Sequence, residues 1–272
     1  MLSAIEIYNK PNFSYREETF AILGVNSWEL LLKAFLLKKC SYKMDNLYIM
    51  ESILKKIRVE VNSKLFLKDP FSSELGMLIV REGALLIQEL GMEHFTFKKL
   101  GAKIGSTEAA IYRYFENKHK LLLYLSSWYW AWLEHNLVFL NANQSDAEER
   151  LALAIRLLVE GPIYKENDVL NPEVLRSLVI NESIKGFLTK EVDLEHESGI
   201  FSQIYKFGDR VSSIVSEINP DYLYPKTLVS TILESSLLQN FNSQHLPGML
   251  DAGPESKDRY QFFYQLVIKA IH

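Results

Sequence analysis

Cysteine is almost absent: Cys40 stands alone in 272 residues, which excludes an internal disulfide and fits a reducing, cytoplasmic setting. With no basic cluster beside it, that thiol reads as a small buried hydrophobe. Long apolar runs are missing too. No stretch approaches twenty uninterrupted apolar residues, so a membrane span is not expected. The opening MLSAIEIYNKPNFSYREE lacks the basic-then-apolar layout of a secretion signal. Strict polar–apolar alternation never lasts long enough to suggest a sheet. Histidines at 94, 119, 135, 196, 245 and 272 are scattered, with no His-x-x-x-His and no cysteine pair, so neither metal nor other cofactor is expected. The carboxylate-rich EVDLEHE, Glu191 to Glu197, reads as a solvated loop. Glycine-rich phosphate loops and nucleophile motifs are also missing, which argues against an enzyme.

What is present is helical periodicity. The eight prolines, at 11, 70, 162, 172, 220, 225, 247 and 254, stay outside the strongly periodic segments. With 48% hydrophobic residues the chain can bury a sizeable core and has room for two domains. The fold reads as all-α.

Residues 1–43 form a first, appended block, in which SWELLLKAFLLKK reads as an amphipathic helix capped by Ser27. This block resembles the opening of an uncharacterised family of bacterial proteins through YNKPNFSYREETFAILGVNSWELLLKA, and no activity follows from it. A leading helix, Met44 to about Phe66, and the break LKDPFSS fill residues 44–72.

From Ser73 the pattern sharpens. Ile79, Gly83, Leu86, Ile87 and Leu90 line one face of a helix that stops at Gly91. Thr96 is placed to cap a short helix with Phe97, Leu100 and Ile104 inward, and Gly105 ends it. Ser106 or Thr107 caps a third helix, EAAIYRYFE, and Asn117 a long fourth, KHKLLLYLSSWYWAWLEHNLVFL. Two short helices about a glycine turn, packed on a longer one, make a helix-turn-helix unit.

Charge is concentrated there. Between Thr96 and Lys120, six basic residues face two acidic ones, so a chain of net −4 carries +4 in this stretch and −8 elsewhere. Such asymmetry points to an anionic partner. In a helix-turn-helix the second short helix meets base edges in the major groove with its N-terminal residues. Those residues are small or polar: Ser106, Thr107, Glu108 and Ala109. Tyr112 and Tyr114 bring hydroxyls suited to phosphate oxygens, and Arg113 suits phosphate or a guanine edge. Lys118 lies in a first helical turn, where backbone N–H groups also attract phosphate. Lys98 reads equally as a phosphate contact or a solvated side chain. Glu108 fits a cytosine amino group or simply a first-turn acid.

The segment from Ser73 to Leu122 resembles the DNA-binding domain of the TetR family of bacterial transcriptional repressors. FTFKKLGAKIGSTEAAIYRYFENKHKLL carries that family's threonine cap, glycine turn, small polar helix start, Tyr-x-x-Phe and lysine-led fourth helix. Gly101, Ser106 and Glu108 depart from its usual residues. The resemblance implies a phosphate role for Thr96, Tyr112 and Lys118 and base reading by Ser106 to Ala109. It also implies that residues 123–272 form a helical domain that binds an effector and dimerises. On that reading the partners are a palindromic double-stranded DNA operator, a second copy of the chain, and a small apolar or aromatic effector.

Two C-terminal patterns agree with this design. Tyr260, Phe263, Tyr264, Val267 and Ile271 make one apolar stripe, with Phe262, Leu266 and Ile268 a second. A preceding helix, about Lys226 to Asn242, offers Leu228, Ile232 and Ser236. The expected dimer interface takes the first stripe with those three residues, as a four-helix contact. Between about 128 and 215 the chain is rich in aromatics (Trp128, Tyr129, Trp130, Trp132, Phe139, Tyr164, Phe187, Phe201, Tyr205). These suit an effector pocket or plain core, with SSWYWAWLEH the place to start. The functional reading is a ligand-responsive repressor. The alternative is a helical interaction module that binds a protein partner and not DNA.

Overall fold

Side-chain caps set most helix boundaries in the computed structural model, which describes residues 61–141, 144–161, 170–187, 189–251 and 256–272. Among these the helices are α1 Glu74–His94, α2 Phe97–Ile104, α3 Glu108–Tyr112, α4 Lys118–Asn141 and α5 Ala147–Glu160, followed by α6 Pro172–Phe187, α7 Val192–Glu197, α8 Ser202–Ile218, α9 Pro225–His245 and α10 Ser256–Ile271. No strand occurs among the described residues, and no helix there is long and apolar enough to cross a membrane. Ser73, Thr96, Thr107 and Asp146 each accept a backbone N–H of the first turn they open. Asn117 does the same for α4, through Lys120 N at 2.9 Å. Pro172 and Pro225 stand first in α6 and α9, where a missing N–H costs no bond.

The block 1–43 and its Ser27 helix lie outside the described residues, as does most of the expected leading helix. Its last residues are described and are not α-helical. Ser63–Leu65 is a single 3-10 turn, opened by the Asn62 side chain and followed by extended Phe66. A second such turn, Pro70–Ser72, leads into α1. The first long helix does break at Gly91, where φ is 71°, and then runs one more turn to His94.

Arg58–Leu137 with Gln144–His272 forms one compact unit. Its axis is α4, which is buried on nearly every side through Leu137; a helix apolar all round belongs in a core. Phe71 stacks on Trp128 at 5.4 Å, and Phe115 meets Tyr124 edge-on at 5.3 Å. Trp130 lies 6.1 Å from Phe207 of α8. The loop expected at EVDLEHE is instead the helix α7, with Glu195 3% exposed.

The C-terminal stripes exchange roles. Phe263, Val267 and Ile271 are at most 1% exposed, and Ile232 and Ser236 are buried as well, all within one chain. α10 packs along α5 and α9, and Tyr260 lies under the Arg156 guanidinium of α5 at 4.9 Å. Leu228, Tyr260 and Tyr264 are half-buried. Five of the eight residues expected to meet a second copy, Ile232, Ser236, Phe263, Val267 and Ile271, therefore lie in the protein's own core. The outward face carries Leu238, Phe262 and Leu266, at 49%, 52% and 44% exposed.

Candidate nucleic-acid interface

α3 has only five residues, too few to hold a helix alone, so packing fixes its position. Ile111 and Phe115 are fully buried beside Leu100, and Phe97 is nearly so. Gly105 takes φ 67°, ψ 32°, the left-handed conformation glycine tolerates best, and turns the chain into α3. The Ser106 N–H donates to the Gly101 carbonyl at 2.9 Å. A Cβ on Gly101 would lie 2.8 Å from Ser106 O and 3.3 Å from Glu108 N. The departure at Gly101 is thus a packing requirement: α3 approaches α2 more closely than a methyl group allows.

This clamp leaves one edge outward. Thr96, Lys98, Thr107, Glu108, Ala109, Tyr112 and Arg113 are exposed, and Ser106 is half-buried. Thr96 and Thr107 also serve as caps, accepting from Lys99 N and Ala110 N at 3.2 Å each. Tyr112 is 46% exposed, with its ring held edge-on by Phe97 at 5.0 Å. The edge thus presents hydroxyls, a small alanine and two cations on a rigid base. Ile104, expected inward, is only half-buried.

Two sequence assignments change. Tyr114 is 4% exposed, and its hydroxyl pairs with Ser73 Oγ at 2.7 Å and accepts from Lys68 Nζ at 3.2 Å. The Ser73 bond and the Lys68 ammonium, against burial, bring the phenol below its ordinary pKa. It ties α3 to the start of α1 and has no route to a phosphate. Lys118 likewise turns inward: Nζ donates to the carbonyls of Met92 at 2.6 Å and Phe95 at 3.2 Å. Those carbonyls lie beyond the Gly91 break, where the helix leaves acceptors unmatched.

The same holds for most of the positive charge. Lys99 Nζ donates to His94 O at 2.8 Å, Lys103 pairs with Glu82 at 3.6 Å, and Lys120 pairs with Glu195 at 2.8 Å. Of the six basic residues between Thr96 and Lys120, Lys98 and Arg113 remain turned outward with no such bond among the described residues.

Sequence reasoning missed Glu195. Its carboxylate meets His119 Nε2 at 3.0 and 3.2 Å as well as Lys120, and so binds α7 to the first turn of α4. The apolar spacing of Val192, Leu194 and the later Ile200 was too short to announce a helix inside an acidic run. Glu182 of α6 makes a second tie, accepting from Met92 N at 3.4 Å beside the Gly91 break.

Residues 1–64 match the model of a domain of unknown function (DUF3644), which extends past residue 43. Residues 79–125 match that of the bacterial regulatory proteins, tetR family. Similar solved structures include a crystal structure of AibR in complex with isovaleryl coenzyme A and operator DNA. It is 18% identical with a TM-score of 0.48, covering 69% of this chain and 95% of that one. Another is the superantigen PfiT, 14% identical with a TM-score of 0.47, covering 75% of this chain and 96% of that one. No curated protein sequence matches the chain.

Proposed function

We propose that this chain, which belongs to the tetR family of bacterial regulatory proteins through residues 79–125 and so is a DNA-binding transcriptional regulator, acts as a dimeric repressor released from a palindromic operator by a small-molecule effector. The observation that carries the DNA contact is the outward edge of α2 and α3. Thr107, Glu108 and Ala109 are exposed where α3 opens, while Ile111 and Phe115 anchor it. A helix start so placed can approach base edges in a major groove. Thr96, Lys98, Tyr112 and Arg113 flank it as phosphate contacts.

Release follows from differential binding. An effector that favours a DNA-incompetent arrangement lowers operator affinity by the difference between its affinities for the two states, and by nothing else. Glu195 and Glu182 supply the connection, since both tie the effector-side helices to the ends of α1 and α4.

The internal engagement of Lys99, Lys103, Lys118 and Lys120 favours a second reading, a helical module that binds a protein partner. Selection of random DNA on the purified protein separates the two. Recovery of two inverted copies of a short element, with affinity falling steeply as salt rises, is the expected result. Absence of measurable DNA binding at low salt would leave the interaction module.

A further inference from the structure

Ser126 Oγ and Trp130 Nε1 are buried side-chain atoms without a hydrogen-bond partner among the described residues, on residues only 7% and 2% exposed. They stand one turn apart on α4 and line the same cavity. Its other walls are Leu123 and Ser127 of α4 with Ile200, Phe201, Gln203 and Ile204 around the start of α8. Leaving a polar group buried and unmatched is destabilising, and alanine and phenylalanine would fill the same positions without that penalty. The pair is therefore placed for something the described residues do not supply.

We propose that this cavity is the effector site, and that its ligand is a compact neutral molecule, mostly apolar, carrying a carbonyl or similar acceptor oxygen; the inference rests on the effector-controlled reading above. An indole N–H can only donate, so the ligand must accept. The Ser126 hydroxyl then donates to the same oxygen or to a second one. No lysine, arginine or histidine is in the lining among the described residues, so an anion would shed its hydration with no counter-charge to replace it. The remaining walls are aliphatic or aromatic, which suits a hydrocarbon body.

As it stands the cavity measures about 20 Å³ of space open to water centres, room for a single water. A larger ligand must part α4 from the first turn of α8. That turn begins without a side-chain cap, and Gly199 before it has φ 76°. Ile200 N donates to Glu195 O at 3.2 Å, so moving the turn pulls on the residue that holds His119 and Lys120. The site thereby connects to the helix that follows the DNA-facing edge.

The test follows the indole ¹⁵N–H resonances of the full chain, with Trp130 assigned through Trp130→Phe, while acetone, cyclopentanone and cyclohexanone are titrated. Methylenecyclopentane and methylenecyclohexane serve as matched hydrocarbons. The expected result is a saturable shift of the Trp130 signal by at least one ketone, weakened ~3- to 10-fold in Ser126→Ala and absent with the hydrocarbons. No shift with any ketone, or an equal shift with the hydrocarbons, overturns the proposal and leaves a water site or an unselective apolar gap. Salt-dependent DNA binding is measured on the same preparations. Ketone binding without DNA binding would sink the regulator reading alone, and DNA binding without ketone binding would sink this site alone.

Discussion

Tyr112 and Tyr114, at the end of α3 and in the turn that follows it, show how far two neighbouring residues can diverge. The exposed phenol of Tyr112 is available to a phosphate, whereas that of Tyr114 is held by Ser73 and Lys68. Tyr112→Phe, Lys98→Ala and Arg113→Ala should each weaken DNA binding without lowering the melting temperature. Filter binding across a salt series checks this. Removing either cation should make the plot of log affinity against log salt shallower by about 0.9 for each phosphate no longer neutralised. Tyr114→Phe should instead lower stability by roughly 1–3 kcal/mol, two hydrogen bonds, and leave the slope unchanged. His135 offers a pH test. Burial, opposed by the nearby Glu134 carboxylate, moves its pKa below the ordinary 6.5. The unfolded chain therefore takes up that proton first as pH falls. Stability should be full above about 6.5 and decline towards the lower folded value. Urea melts of His135→Gln should show a flatter acid limb.

At the scale of elements, the recognition helix is positioned by an absence. Gly101→Ala should force α2 and α3 apart, because its methyl would meet Ser106 O at 2.8 Å. Overpacking of this kind costs ~1–3 kcal/mol, so calorimetry should show a lower melting temperature and operator affinity should fall with it. Glu195 works between elements. Glu195→Ala leaves Lys120 and His119 facing a buried gap, and removing one partner of a buried pair costs ~3–5 kcal/mol. The same variant should loosen any link between ligand binding and DNA release, a coupling read by comparing operator affinity with and without bound ketone.

At the scale of the whole molecule, the proposed dimer is expected to use the outward stripe. Leu238, Phe262 and Leu266 are large, exposed and on the two C-terminal helices. The double variant Phe262→Ser, Leu266→Glu should sediment as a monomer and lose most operator affinity, since two linked half-site contacts become one. Phe263→Ala, one position away and fully buried, should cost ~3–5 kcal/mol of stability through a cavity. Should the outer double variant remain dimeric, this face is not the interface.

The sequence alone determined the all-helical class, the helix-turn-helix and the helix ends within it. Those features rest on local signals: caps at Thr96, Thr107 and Asn117, a glycine that turns left-handed at 105, and apolar spacing along one helix. It also determined that the C-terminal helix is apolar on two sides. Tertiary structure decided which of those sides faces inward, because that depends on where α5 lies and not on the stripe itself. It likewise decided the fate of the positive charge. Only with Met92, His94, Glu82 and Glu195 in place do the lysines between Thr96 and Lys120 divide into those bound within the chain and those left for a partner. Periodicity reports how a segment is shaped for burial; which groups meet across the fold is settled by contacts between residues far apart in the chain.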